Sequence, residues 1–199
     1  ACVFDAYGTL FDVNSAARSL QDELGTRWQP LAELWRTKQL QYTWLRGLGG
    51  HHADFWTVTS EALSFAFDTL KIQDPKLHRR LMTLYLSLNV YPDVIDALKQ
   101  LKAASMSLAI LSNGTPQMLA SAAAHSGIAD LLDAVLSVEE VGVFKPHPSV
   151  YKLASDRLRL APEQICFLSS NGWDAYAAKA FGFHAVALLV LEAVLSAAM

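Results

Sequence analysis

Two patterns of apolar spacing divide the chain. Between residues 14 and 91 apolar positions recur about every 3.6 residues, the period of a helix that buries one face. Leu31, Leu34, Trp35, Trp44 and Leu45 mark one stretch. Phe55, Ala62, Phe65, Ala66 and Leu70 mark a second, and Leu77, Leu81, Leu84, Tyr85 and Leu88 a third. Pro30 and Pro75 stand where helices start, since proline there sacrifices no hydrogen bond. Gly47, Gly49 and Gly50 predict a break between the first two helices. From residue 92 the pattern changes to short apolar runs alternating with amphipathic ones. These predict a helix over 92–104, a strand over 108–111, a helix over 117–126 closed by Gly127, and a strand over 134–137. A helix over 148–158, a strand over 165–168, a helix over 174–181 and a strand over 185–190 follow. Cys2-Val3-Phe4 reads as the end of one more buried strand. Alternating units of this length imply a parallel sheet with right-handed crossovers. The expected architecture is α/β: a Rossmann-like parallel sheet core with helices on both faces, built from residues 1–13 and 92–199. Residues 14–91 form an inserted all-helical cap.

Composition narrows the function classes. With 199 residues, 52% of them hydrophobic and 18% charged, the chain can bury a real core and is not disordered. A net charge of −3 without a long basic block argues against nucleic acid as a partner. Two cysteines make no disulfide framework, which fits a reduced, cytoplasmic setting; Cys2 and Cys166 read as core. The first apolar run is too short for a signal peptide or a membrane span. Residues 184–199 are apolar but interrupted by Glu192, and read as a buried strand followed by a helix or tail, so no membrane partner is expected.

Polar residues recur where the core strands end. The first strand ends in Asp5, leading into Ala6-Tyr7-Gly8-Thr9-Leu10. The next ends in Ser112-Asn113-Gly114, a loop further on carries Lys145-Pro146, and another strand ends in Ser169-Ser170-Asn171-Gly172-Trp173-Asp174. Each taken alone has an ordinary explanation: a helix cap for Asp5, a turn for Ser-Asn-Gly, a solvated loop for Lys-Pro. Parallel strands place all four on one edge of the sheet, where open α/β sheets bind ligands. His51-His52 is a poor metal pair, because adjacent residues do not share a helix face. His125, His147 and His184 are scattered and read as structural or exposed.

Asp-x-x-Gly-Thr-Leu, the strand ending in Ser-Asn, the Lys-Pro and the late Asp resemble the haloacid dehalogenase superfamily. Most of that superfamily are magnesium-dependent phosphatases that open with Asp-x-Asp. Here Tyr7 replaces the second Asp, and the late motif is Ser-Ser-Asn-Gly-Trp-Asp. The resemblance therefore narrows to the L-2-haloacid dehalogenases, and Leu34 to Trp44 resembles their cap helix around a halide-binding arginine. The matches run from Cys2 to about Phe183.

The resemblance implies a set of roles. Asp5 attacks C2 of a 2-haloacid and forms an ester while halide leaves with inversion. Water then attacks the Asp5 carbonyl carbon, with Asp174 as base and Asn171 positioning the water. Lys145 favours the charged form of the nucleophile, and Thr9 adds a hydrogen bond. Arg36 and Asn113 receive the halide, and Ser112 holds the substrate carboxylate. Tyr7, Leu40, Phe55 and Trp173 supply apolar walls, and Tyr151 and Ser169 complete the substrate-binding set. No metal or other cofactor is expected, since a halide leaves without protonation. The expected partners are the small 2-haloacid and its halide, and a homodimer through the cap. The alternatives are a magnesium-dependent small-molecule phosphatase and an inert binding domain of the same fold. Departures are His147 where Asp is common, Gly172 for a frequent Ala, and the ending. The run from Ala187 to Leu191 enters Glu192-Ala193-Val194 directly, where an Asn-Arg turn and a longer polar tail are usual. A shortened tail or joined segments would account for that.

Overall fold

The strands are short and all parallel: β1 (Cys2–Phe4), β2 (Leu108–Ser112), β3 (Ala134–Ser137), β4 (Cys166–Ser169) and β5 (His184–Ala187), in the order β3-β2-β1-β4-β5. The computed structural model describes residues 1–189. The central strands β1 and β2 are buried at every position, which is why they read as unbroken apolar runs. The chain steps from β1 to β2 to β3 on one side, then crosses to β4 and β5 on the other. Right-handed crossovers then set α6 (Val94–Ala103) and α7 (Pro116–His125) on one face. They set α8 (Pro148–Leu158) and α9 (Gly172–Phe181) on the opposite face. The reversal falls between β1 and β4, and such a switch point opens a crevice at the carboxyl ends of the strands.

The insertion between β1 and α6 is helical. It comprises α1 (Ser15–Arg18), α2 (Gln21–Leu24), α3 (Trp28–Gly49), α4 (Phe55–Thr69) and α5 (Pro75–Leu84). Asp54 caps α4 by accepting from the Thr57 amide at 2.7 Å. Asp74 caps α5 from the Lys76 and Leu77 amides, with Pro75 in the first turn. Buried Trp35 ties α3 to α4 by donating from Nε1 to the Thr59 carbonyl at 2.8 Å. The two connections between insertion and sheet pair with each other. The Asp12 amide donates to Asn89 O at 2.8 Å and the Tyr91 amide to Leu10 O at 3.1 Å.

Several bounds differ from the sequence reading. Helix α3 continues through Gly47 and Gly49 and stops only at Gly50, whose φ of +66° no side chain adopts easily. Tertiary contact with α4 carries the helix past two residues that weaken it. Helix α6 starts at Val94 rather than residue 92, and α9 starts at Gly172 rather than residue 174. Strand β5 is complete at Ala187. The expectations for the tail fall on residues 190–199 and lie outside the described residues. Cys2 and Cys166 are register partners on β1 and β4, and both are free thiols. Burial, and then the neighbouring Cys166, pushes the Cys2 thiol up. No helix among the described residues is long and apolar enough to cross a membrane.

Candidate active site

Asp5 leaves β1 at the switch point, its amide still bonded to Leu168 O of β4 at 3.0 Å. The chain then folds into a tight turn in which Ala6 O accepts from the amides of Thr9, Leu10 and Phe11. Gly8 carries a φ of +91°, so a side chain here would be strained. The turn brings Thr9 back over Asp5, and its hydroxyl donates to Oδ2 at 3.1 Å. The Asp5 side chain is 9% exposed, so these bonds act with little competition from water.

Lys145 arrives on the loop before α8. Asn113 fixes that loop by accepting from the Lys145 amide through Oδ1 at 3.0 Å. The ammonium donates to Asp5 Oδ1 at 3.1 Å and to Asp174 Oδ2 at 2.7 Å, and lies 4.9 Å from the centre of the Phe167 ring. Burial works against this charge. The carboxylates of Asp174 and Asp5 outweigh it and hold the Lys145 pKa above the usual lysine range. Asp174 sits in the first turn of α9 and is fully buried. Burial raises its pKa, Lys145 opposes the rise, and Asp5 adds to it; the net direction is up. Its Oδ1 accepts from the Tyr151 hydroxyl at 2.6 Å, leaving that oxygen a further lone pair. The Tyr151 phenol is itself pushed up, first by burial and then by Asp174, so it stays a donor. Asn171 donates from Nδ2 to Asp5 Oδ2 at 2.7 Å. Ser169 Oγ lies 3.4 Å from both Asp5 Oδ2 and Asp174 Oδ2.

The helical insertion contributes the opposite wall. Arg36 reaches down from α3 and donates from Nη2 to the Tyr7 carbonyl at 2.8 Å, with Asn171 Oδ1 at 3.5 Å. Its Nη1 is held by Gln39 Oε1 at 2.8 Å. Tyr7 is 2% exposed, stacks on Tyr85 with ring centres 5.6 Å apart, and meets Phe55 at 5.4 Å. Gly114 lets this ring approach: a Cβ there would fall 2.7 Å from Tyr7 Cε2. Burial, and then Tyr85, holds the Tyr7 phenol well above its usual range.

The remaining expected residues take varied positions. Fully buried Ser112 accepts from the Gly114 amide at 3.1 Å. The Asn113 side-chain nitrogen has no partner among the described residues, so it is free to meet an anion. Leu40 lies one turn after Arg36 on α3, half-buried. Trp173 is half-buried and meets Trp44 edge-on at 5.5 Å. Tyr151, expected at the substrate, instead bonds Asp174 and is 1% exposed, so it reaches the site through that carboxylate. His147, the departure after Lys-Pro, accepts from the Ser149 amide at 3.2 Å and caps α8 as a short acid would.

The sequence reading missed three residues. Gln39 is buried on α3, holds Arg36, and bonds Thr59 Oγ1 at 2.7 Å and the Tyr85 hydroxyl at 3.1 Å. Tyr85 is the stacking partner of Tyr7. Ser170 donates its amide to Thr9 Oγ1 at 2.9 Å and so locks the turn to β4. The one available signal was Gln39 three residues after Arg36, a spacing at which helical side chains meet.

The doubly wound sheet thus carries a strand-end aspartate held by lysine and asparagine, and the helical insertion brings an arginine to the carbonyl two residues further on. The chain belongs to the haloacid dehalogenase-like hydrolase family, whose model matches residues 1–182. Within it, the chain is 47% identical to (S)-2-haloacid dehalogenase 4A of Burkholderia cepacia, covering 94% of this chain and 81% of that one. A dehalogenase crystal structure superposes with a TM-score of 0.90 at 47% identity, over 92% of this chain and 81% of the other. The L-2-haloacid dehalogenase of Xanthobacter autotrophicus with chloropropionic acid covalently bound superposes with a TM-score of 0.85. That pair is 45% identical over 92% of this chain and 74% of the other.

Proposed function

We propose that the chain hydrolyses (S)-2-haloalkanoic acids to (R)-2-hydroxyalkanoic acids with inversion, through an ester on Asp5. The observation that carries this reading is the Asp5 carboxylate itself. It is shielded from water and held by Lys145, Thr9 and Asn171, and the Arg36 guanidinium reaches the adjoining Tyr7 carbonyl and Asn171.

In the first step an Asp5 oxygen forms a bond to C2 from the side opposite the halogen. The carbon–halogen bond breaks and the halide leaves with the electron pair. Arg36 and the unpartnered Asn113 amide nitrogen receive the developing charge. The fixed carboxylate is oriented before attack, which removes much of the entropic cost. In the second step water attacks the ester carbonyl carbon of Asp5 and gives a proton to Asp174. Collapse of the tetrahedral intermediate breaks the ester and releases the alkoxide, which takes the proton back from Asp174 to become the hydroxyacid, and the regenerated Asp5 carboxyl loses its proton to solvent. Lys145 touches both carboxylates and stabilises whichever is charged. Tyr151 and Ser169 hold Asp174 in place for the second step. Tyr7, Phe55 and Trp173 keep water from the attacking face.

The magnesium-dependent phosphatase reading fits these residues poorly. Tyr7 stands where a second acid would be needed, and the Lys145 ammonium already spans Asp5 and Asp174. One assay separates the two. Purified protein with EDTA should release chloride from (S)-2-chloropropionate, and Asp5→Asn should release none. Turnover confined to phosphate esters with magnesium would reject the dehalogenase reading.

A further inference from the structure

Beside the Asp5 site lies a second cavity of about 450 Å³, between the C-terminal half of α3 and the loop that carries Lys145. That volume falls within the roughly 300–1,000 Å³ of small-molecule sites. Trp44, Gly47 and Leu48 line it from the helix, Phe144 and Lys145 from the loop, and Trp173 from α9. It grades from buried to open. Phe144 and Lys145 are buried, whereas Leu48 is 87% exposed, and Pro146 and His147 at the rim are exposed too.

The cavity shares Lys145 and Trp173 with the proposed active site. Lys145 belongs to both, since its ammonium bridges Asp5 and Asp174. Trp173 directly precedes Asp174 in α9 and meets Trp44 at 5.5 Å. Phe144 lies 6.2 Å from Phe55, whose ring touches Tyr7. Apart from Thr43 and the rim residue His147 the lining is aromatic and aliphatic, and its one buried charge is already committed to two carboxylates. Such walls suit an uncharged apolar chain leaving C2 of a substrate whose reacting end sits at Asp5. Gly47 keeps the space open: a Cβ there would meet only Val143 Cγ2, at 4.0 Å.

We propose that this cavity is an acyl-chain subsite, which takes the alkyl tail of 2-haloalkanoates beyond C3 and extends the substrate class to medium-length chains. The proposal rests on the dehalogenase reading of Asp5. Each methylene buried there raises kcat/KM by about fourfold, the ratio that corresponds to about 0.8 kcal/mol.

The test compares kcat/KM for (S)-2-chloropropionate and (S)-2-bromooctanoate in wild type, Gly47→Ala and Gly47→Leu. Wild type should process both. Gly47→Leu should lose about tenfold or more on bromooctanoate while chloropropionate changes by less than about threefold. Gly47→Ala, whose methyl meets nothing closer than Val143, should fold and show a smaller loss in the same direction. Wild-type turnover of chloropropionate without bromooctanoate would overturn the subsite and leave the active-site reading standing. Equal loss on both substrates in the Gly47 variants would also overturn it. Absence of halide release from chloropropionate in wild type would instead reject the reading of Asp5, and the subsite with it.

Discussion

At the residue scale, the groups that hold Asp174 set its affinity for a proton. Its pKa is raised by burial and lowered in part by the Tyr151 hydrogen bond. For the second step Asp174 must be deprotonated to take a proton from water. Tyr151→Phe removes a donor that favours the charged form, so the Asp174 pKa rises further. The acid limb of the kcat–pH profile then moves to higher pH, while activity well above the limb stays near wild type. A limb that stays in place or moves to lower pH would remove Asp174 from the role of base. Asp5 and Asn171 were legible because each follows a predicted strand, and Lys145 and Asp174 because the loop after one strand and the helix start after another lie on the same sheet edge, which parallel topology brings together. The position of Tyr151 was not legible, since nothing in helical spacing says which side of the sheet edge a buried phenol reaches.

At the scale of elements, α3 decides where Arg36 points. Gln39 is its anchor, receiving a hydrogen bond from Arg36 and donating one to Thr59 of α4. Gln39→Leu takes the acceptor from Arg36 Nη1 and the side-chain amide from the Tyr85 hydroxyl, while the Thr59 hydroxyl keeps its bond to the Phe55 carbonyl at 2.6 Å. Each buried group left unmatched costs about 1–3 kcal/mol, so thermal unfolding should shift clearly downward. In chloride-release assays kcat should fall, because the guanidinium no longer faces the leaving halide. A variant with normal kcat and lowered stability would make Gln39 a purely structural residue. Such a residue hides in sequence because a polar side chain within a Lys/Gln-rich helix reads as solvated. Elsewhere local chemistry spoke plainly. Pro148 and the apolar spacing behind it placed α8 at its observed bounds, and the strand over 134–137 matched β3. Gly47 and Gly49 misled because glycine weakens a helix by an amount that contact with α4 overrides.

At the scale of the whole molecule, one buried ammonium joins three parts of the chain: the end of β1, the loop before α8, and the first turn of α9. Removing it leaves two carboxylates facing each other without water. Lys145→Met should therefore lower stability at neutral pH by about 3–5 kcal/mol, as when one partner of a buried pair is lost. The sign of its pH dependence follows from Asp174. A carboxyl whose folded pKa is raised holds its proton to higher pH than the unfolded chain does. Stability then falls as pH rises from the ordinary carboxylate range through the raised value. The variant should regain part of its melting temperature on acidification, and no recovery would mean the two carboxylates are not in conflict. In an ester mechanism on Asp5 the product oxygen comes from Asp5 and the water oxygen goes into it. A single turnover of (S)-2-chloropropionate with excess enzyme in ¹⁸O-water tests this most directly. The expected result is unlabelled 2-hydroxypropionate and ¹⁸O in the peptide that contains Asp5. Label appearing in the hydroxyacid, with none in that peptide, would contradict it.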